Sequence, residues 1–241
     1  MSDVEKNEGM FAFNPNASVS SARVGKCPIA VTVADNVFLH PQQLAEFGWG
    51  LEFVEDDSNL YPGIRARLPA DFSRPFHAWL TNTLRCTGVL EESSHVHEDA
   101  SFFSIVNKNR ASLLPLQRIP HYDSTDPKIF AAVVYLFDRA NSGTSFYRHR
   151  ATGYETIGRD NKDNYKMALN RNMKTLGPPA REYANGSSAL FERTHSVDSV
   201  FNRMVIYSGN VLHAADIAGS LFTGDENSQW RLTISSLVKS T

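Results

Sequence analysis

Apolar residues recur along this chain either at every second position or in short continuous runs, and both patterns are typical of β-strands. Strands are predicted on this basis at residues 29–33, 101–106 and 230–237. Residues 201–213 predict a buried strand, a turn at Gly209-Asn210 and a second short strand that presents His213 to the interior. The pattern therefore favours a core built from β-sheet.

Helical spacing marks two segments in the N-terminal half of the chain. Pro41 opens the first, at residues 41–47, and proline favours the first turn of a helix. The second is predicted to start near Ser73, because the apolar residues between positions 76 and 84 are spaced to share one face. We expect both helices to buttress the outer face of a sheet.

The chain is expected to form one domain. Residues 1–24 are polar or small over most of their length and predict a flexible N-terminal segment, and residues 25–241 form the single domain. A helical insertion is predicted around residues 148–186, where apolar side chains recur at helical spacing within polar surroundings. This insertion would either cap one end of the fold or act as a lid over a site.

Composition and charge narrow the classes of function. With 241 residues, of which 41% are hydrophobic and 21% charged, the chain has the balance of a globular domain. It shows no apolar stretch of membrane-spanning length and no secretory signal, so we expect a cytoplasmic location and no membrane partner. The net charge of −2, with scattered Lys and Arg, argues against nucleic acid as a partner. Cys27 and Cys86 have no metal-like spacing.

Two His-x-Asp sequences are candidates for a pair of metal ligands. In a strand, residues i and i+2 point to the same face, so both side chains of such a pair can reach one ion. His121 and Asp123 follow the apolar-rich residues 113–120, which could form a strand that ends in a cavity. His97 and Asp99 lie in polar sequence that predicts a connection. We therefore favour His121 and Asp123.

Two later segments supply further candidates. His213 would complete a set of two imidazoles and one carboxylate, the facial arrangement of non-heme Fe(II) oxygenases, which leaves coordination positions open. Arg231 and Thr233 share one face of the last predicted strand. An inward-facing Arg is costly unless it meets an anion, and its planar fork suits a carboxylate. Alternatively, Arg231 pairs with a structural Asp or Glu at the sheet edge.

Arg65 and Arg67 form a lesser candidate pair. They follow Tyr61-Pro62-Gly63, a sequence that predicts a turn. We favour a structural turn as the role of this segment. The alternative is that the two arginines face the mouth of a pocket.

These residues resemble the Fe(II)- and 2-oxoglutarate-dependent oxygenases, which are built on the double-stranded β-helix, a jelly-roll relative of the cupins. The resemblance covers roughly residues 100–240. In chain order it comprises His121-x-Asp123 on an early barrel strand, a strand at residues 133–137, a glycine turn at 143–146, a strand pair ending in His213, and Arg231-x-Thr233. The interval from His213 to Arg231 is longer than the family's and requires a loop through residues 217–229.

The resemblance implies the fold and the metal. The fold would be α+β, a double-stranded β-helix (a jelly-roll or cupin-like barrel) buttressed by N-terminal helices. His121, Asp123 and His213 would hold Fe(II). Because halogenating members replace the carboxylate with a small residue, Asp123 argues for hydroxylation or another oxidative outcome.

The resemblance also implies the co-substrate and the reaction. Arg231 and Thr233 would receive the distal carboxylate of 2-oxoglutarate, with Tyr135 near it. The enzyme would be a dioxygenase that uses O2, converts 2-oxoglutarate to succinate and CO2, and hydroxylates a small-molecule or peptide substrate.

Two other functions stay open at this point. The first is a cupin-like metal-binding or ligand-binding protein without catalysis, in which Arg231 is structural and 2-oxoglutarate does not bind. The second is an enzyme on the same barrel that uses the metal without 2-oxoglutarate, such as an isomerase or another dioxygenase.

Overall fold

Antiparallel strands make up most of the chain in the computed structural model, which describes residues 9–55, 60–137, 142–217 and 231–241. The α-helices are α1 (Pro41–Trp49), α2 (Ala70–Cys86) and α3 (Lys162–Leu176). The strands are β1 (Ser18–Val24), β2 (Ile29–Asp35), β3 (Val54–Glu55), β4 (Gly63–Arg67), β5 (Val96–Val106), β6 (Ile129–Tyr135), β7 (Thr144–His149), β8 (Phe191–Val197), β9 (Arg203–Ser208), β10 (His213–Ala215) and β11 (Arg231–Ser240).

The strands form two sheets. The larger has the order β1-β2-β9-β6-β11-β5-β4-β3, and the smaller has the order β10-β7-β8. Every neighbouring pair in both sheets is antiparallel. The fold is therefore mostly antiparallel sheet with helices added, as the α+β prediction requires.

Successive side chains along the strands of the larger sheet point to opposite faces. Helices cover one face, and the other is the inner face. Leu232 and Ile234 of β11 pack in one core with Phe72 and Phe76 of α2, so this helix covers the sheet as predicted. Burying each phenyl ring in this way contributes about 3 kcal/mol of hydrophobic free energy. Successive strand residues point to opposite faces, so Thr233 points towards the smaller sheet.

The chain passes from one sheet to the other between β9 and β10. The first predicted strand of the 201–213 segment is β9, but the second begins at His213, where it was predicted to end. The two strands do not pair with each other: β9 pairs with β2 and β6, and β10 pairs with β7. The turn at Gly209-Asn210 therefore carries the chain across the gap between the sheets. This crossing places His213 at the edge of the space that the sheets enclose.

Several sequence-based predictions need correction. Residues 9–24 are not a flexible segment, because Phe11 is buried in the core and β1 pairs along its length with β2; residues 1–8 lie outside the described segments. Residues 113–120 do not form a strand but contain a 3-10 helix at Pro115–Arg118. His97 does not lie in a connection: it is an exposed residue within β5.

The remaining predictions concern the helices and a loop. α1 lies where it was predicted, and α2 begins at Ala70, three residues before the predicted start. α3 lies within the predicted 148–186 insertion. The loop predicted through residues 217–229 falls, except for Ile217, outside the described residues. Over the described part of the chain, none of the helices combines the length and apolar character needed to span a bilayer.

Candidate active site

His121 and His213 lie side by side because their backbones are hydrogen-bonded to each other. The amide of His121 donates to the carbonyl of His213 at 2.9 Å, and the amide of His213 donates to the carbonyl of His121 at 2.8 Å. This isolated bridge replaces the regular strand that was expected to carry His121. Pro115 and Pro120 explain the difference, since neither has an amide hydrogen for a strand ladder.

Asp123 is positioned by the turn that follows β9. Its backbone amide donates to the carbonyl of Gly209 at 2.7 Å, and the amide of Gly209 donates to Ile129 at 2.7 Å. The Asp123 carboxylate then lies 3.7 Å from Nε2 of His121 and 3.6 Å from Nε2 of His213. The site thus depends on backbone pairing between segments that are distant in sequence.

The three side chains fit a metal ion. One ligand atom from each of His121, Asp123 and His213 lies within 4.8 Å of the other two, and they are the one group of this kind found among the described residues. Ligands at right angles around an ion with bonds of about 2.1 Å stand about 3 Å apart. Small side-chain movements would therefore bring all three into contact with one ion.

His213 is held in the tautomer that a metal needs. Its Nδ1 lies 2.9 Å from the carbonyl oxygen of Val211. A carbonyl can only accept a hydrogen bond, so Nδ1 carries the proton and Nε2 presents its lone pair towards Asp123. The ring is buried and lies 4.7 Å from the ring of Tyr207, which further fixes its orientation.

Electrostatics favour neutral imidazole at His121. Partial desolvation within the cavity and the neighbouring His213 lower the pKa of His121, against the opposing effect of Asp123, and 56% of the side chain stays exposed at the open cavity. Neutral imidazole is the form that binds metal, so the His121 ring can act as a ligand near neutral pH without first losing a proton.

A cavity of about 500 Å³ opens beside the three candidate ligands, between the two sheets. Its size lies within the range usual for small-molecule sites. Arg231, Thr233 and Ser235 of β11 all line it, which agrees with the prediction that they share one face. From the predicted insertion, Tyr183 and Ala184 line the cavity.

α3, the helix of the predicted insertion, lies away from the cavity. Tyr165 and Leu169 of α3 are buried in a core that includes Tyr147 and Leu212. α3 therefore packs against the smaller sheet, and the part of the insertion that reaches the cavity is the segment after it.

Arg231 is buried at one side of this cavity, with 4% of its surface exposed. Its Nε donates to the carbonyl of Ser142 at 3.0 Å and its Nη2 donates to the carbonyl of Gly143 at 3.1 Å. These bonds use two of the five N–H groups of the guanidinium. Gly143 is required here, because a Cβ on it would lie 1.8 Å from the carbonyl oxygen of Val197.

The hydroxyls of Thr233 and Tyr135, which were predicted to lie near a co-substrate carboxylate, both make hydrogen bonds within the protein. The hydroxyl of Thr233 donates to the carbonyl of Ser104 at 3.2 Å, so it is not oriented as a donor into the cavity. Tyr135 is fully buried, and its hydroxyl lies 2.7 Å from that of Thr144, which does line the cavity. Burial raises the pKa of Tyr135 to about 12 and keeps it protonated. Tyr135 can therefore act on the cavity through Thr144.

Sequence reasoning gave too little weight to three other lining residues. Tyr61, Arg65 and Tyr207 all line the cavity, whereas Arg67 is an exposed residue at the end of β4. The alternation of residues along β4 could have indicated the role of Arg65, because it is out of phase with the core residues Ile64 and Ala66.

Comparisons with known proteins give a family and several distant structural likenesses. No curated protein matches the sequence. Similar solved structures include the non-heme alpha-ketoglutarate-dependent epimerase SnoN from nogalamycin biosynthesis, at 12% identity and TM-score 0.46, covering 90% of this chain and 79% of that chain. HygX from Streptomyces hygroscopicus, with nickel and 2-oxoglutarate bound, has 11% identity and TM-score 0.46, covering 87% and 82%.

A third similar structure is an N-substituted L-amino acid dioxygenase from Burkholderia ambifaria AMMD, at 10% identity and TM-score 0.37, covering 93% of this chain and 94% of that chain. At TM-scores below 0.5, these likenesses carry no weight for the function of this protein. The family model described as a family of unknown function, DUF6445, matches residues 15–238. Because this match spans nearly the whole sequence, the chain belongs to the DUF6445 family.

Proposed function

We propose that the protein is an Fe(II)- and 2-oxoglutarate-dependent dioxygenase that oxidises a C–H bond of another substrate, most simply by hydroxylation. The observation that carries this proposal is the convergence of two imidazoles and one carboxylate on a cavity that also contains a buried arginine. A facial set of two His and one carboxylate suits Fe(II) and leaves the opposite coordination positions open.

The proposal extends to the fold, which we propose to be a double-stranded β-helix. Two antiparallel sheets that enclose a site between them are the arrangement expected of a double-stranded β-helix. His213 begins β10 of the smaller sheet and forms the bridge to His121, whereas Arg231 begins β11 of the larger sheet. A ligand held by both would therefore span the space between the sheets.

In the proposed site, His121, Asp123 and His213 hold the iron from one side. Iron, when bound, supplies the oxygen chemistry, and the protein supplies orientation and electrostatics. The Val211 carbonyl keeps the His213 tautomer fixed. Asp123 supplies a carboxylate at the position where halogenating members of the resembled family have a small residue. The fit of the donor set supports iron but applies to other divalent metals as well.

Arg231 is the proposed partner for the distal carboxylate of 2-oxoglutarate. Its guanidinium is already oriented by two backbone carbonyls and lies 5.6 Å and 5.4 Å from the ring centroids of Tyr135 and Phe137. A preorganised arginine loses little side-chain entropy when it binds a carboxylate. Thr233 would contribute a donor only after its hydroxyl rotates away from Ser104.

One observation favours a second candidate, a metal enzyme or metal-binding protein that does not use 2-oxoglutarate. The two bonds from Arg231 to backbone carbonyls already give this side chain a structural role. Carbonyls are neutral, however, and among the described residues no carboxylate forms an ion pair with the guanidinium, although Asp216 lies near enough to interact with it electrostatically. We therefore favour the candidate in which an acidic co-substrate pairs with the guanidinium directly.

Calorimetric titration of the Ni(II)-loaded protein separates these candidates without knowledge of the primary substrate. We expect 2-oxoglutarate to bind only when the metal is present, and to bind at least about tenfold more tightly than 2-oxobutyrate, which lacks the distal carboxylate. The matched control is His97→Ala, which should leave both affinities unchanged. Binding of metal without binding of 2-oxoglutarate, or equal binding of both keto acids, would reject the proposal.

A further inference from the structure

Arg65 is a second cation on the wall of the same cavity, and the strand register fixes its position. It lies opposite Ser104 of β5, and Ser104 lies opposite Thr233 of β11. Adjacent strands stand about 4.8 Å apart, so the backbones of Arg65 and Thr233 are separated by roughly 10 Å. Because Ile64 and Ala66 pack in the helix-side core, Arg65 projects from the opposite face, which is the cavity face.

Aromatic rings support the Arg65 guanidinium. Its central carbon lies 4.0 Å from the centroid of the Tyr61 ring and 5.4 Å from that of Phe102. Burial raises the pKa of the Tyr61 hydroxyl, and Arg231 and Arg65 both oppose this effect. Tyr61 is therefore a common neighbour of the two arginines, which belong to one electrostatic environment.

The two arginines occupy different settings within that environment. Arg231 is buried and held by backbone carbonyls, whereas Arg65 is half-buried. Leu60 and Leu116 line the same cavity with 51% and 47% of their surfaces exposed, which marks them as residues at its opening. The open end of the cavity thus combines an apolar rim with a cation.

The formal charges of the cavity indicate what it can receive. With His counted as neutral, the formal charges of the described residues that line it are positive at Arg65 and Arg231 and negative at Asp123. The protein therefore contributes one net positive charge, and a divalent ion would bring the total to three. A 2-oxoglutarate dianion would reduce it to one. A second ligand with one negative charge would balance the charges counted here.

We propose that Arg65 receives the carboxylate of the primary substrate, and that this substrate is a small amphiphilic monoanion whose body is largely apolar. This inference rests on the proposed function, since it assigns Arg231 to the co-substrate. A planar guanidinium stacked on Tyr61 presents its edge for a bidentate contact with a carboxylate. Phe102, Leu60 and Leu116 provide apolar surface for the rest of the molecule.

The test measures binding of matched acids and amides to the Ni(II)-loaded protein with saturating 2-oxoglutarate. The probes are phenylacetate, 4-phenylbutanoate and octanoate, each paired with its neutral primary amide, and binding is followed by ligand-observed NMR. We expect at least one acid to bind about tenfold or more tightly than its amide. Arg65→Gln should remove this preference, and Arg65→Lys should retain part of it. Arg67→Gln, on the same strand and exposed, should retain all of it.

The outcomes separate this inference from the proposed function. Loss of acid preference in Arg65→Gln, with the affinity for 2-oxoglutarate within about threefold of the unmodified protein, supports the inference. Preference that survives Arg65→Gln, or the absence of acid preference in the unmodified protein, overturns it. A fall in 2-oxoglutarate affinity in Arg65→Gln also overturns it and assigns Arg65 to the co-substrate. Failure of 2-oxoglutarate to bind the unmodified protein instead rejects the proposed function.

Discussion

Arg148 and Arg231 are both largely removed from solvent, but they meet different partners. Arg148 donates from Nε to the carboxylate of Glu155 at 2.7 Å and from Nη1 to that of Glu192 at 2.9 Å. Arg231 has two backbone carbonyls as its acceptors in the described part of the chain. Arg148 is paired with two carboxylates, whereas Arg231 is oriented by neutral acceptors.

This difference distinguishes a structural arginine from one that is prepared to bind a ligand. The Glu155 carboxylate also accepts hydrogen bonds from the amides of Lys26 and Cys27, so the Arg148 network joins three separate segments of the chain. Arg231 instead lies beside a cavity that contains the candidate metal ligands. We expect changes around Arg148 to alter stability, and changes around the cavity to alter binding.

The largest expected effect is on metal binding. Asp123→Ala removes one of three ligands and should weaken binding of divalent metal at least about 100-fold. Its free energy of unfolding without metal should change by less than about 1 kcal/mol, because the Asp123 side chain joins no structural network like that of Arg148. Calorimetric metal titration and thermal unfolding measure the two quantities. A large loss of stability with metal affinity retained would contradict the assignment.

The next effect is on stability and comes from the structural arginine. Arg148→Met leaves the buried Glu155 carboxylate without its cation, and breaking such a pair costs about 3–5 kcal/mol. Urea unfolding should show this loss, whereas 2-oxoglutarate affinity of the folded protein should not change. Arg150→Met, two residues later and exposed, is the matched control and should remain near the unmodified stability. Equal stability of the two variants would remove the structural role of Arg148.

A smaller effect is expected at Arg231. Arg231→Gln should weaken 2-oxoglutarate binding by roughly 10- to 100-fold, because a charged hydrogen-bond donor to a carboxylate is lost. Metal affinity should stay within about threefold of the unmodified protein, and stability should fall by about 1 kcal/mol. Arg231→Lys keeps the charge and should recover part of the affinity. Parallel loss of metal and 2-oxoglutarate binding would make Arg231 a structural residue like Arg148.

The smallest effect is expected at Thr233. Thr233→Val removes a hydroxyl that already donates to the Ser104 carbonyl, so 2-oxoglutarate affinity should change by no more than about fivefold. Calorimetry on the Ni(II)-loaded protein measures this change. A loss as large as that of Arg231→Gln would show that the hydroxyl turns towards the co-substrate after all.

The candidate ligands could be predicted because residue types and local order carry their chemistry. Two imidazoles and a carboxylate are a recognisable donor set, and alternation along β11 places Arg231 and Thr233 on one face whatever the partner strands are. The helix-side core followed from helical spacing, since Phe76, Leu80 and Leu84 recur on one face of α2 and are buried in that core.

Other features depend on tertiary pairing that local sequence does not encode. The backbone bridge between His121 and His213 joins residues far apart in sequence, and it replaced the predicted strand. β1 is polar and exposed, so only its pairing with β2 explains its order. Alternation within β4 places Arg65 on the face opposite to Ile64 and Ala66, but only the pairing of β4 with β5 brings that face to the cavity.

The most direct test of the central claim is anaerobic titration of the Fe(II)-loaded protein with 2-oxoglutarate, followed by visible absorbance. Chelation of a keto acid by iron at the site of His121, Asp123 and His213 should produce a saturable charge-transfer band. We expect the band in the unmodified protein and in His97→Ala, and its absence in Asp123→Ala. Binding of Fe(II) without any band at saturating 2-oxoglutarate would contradict the account.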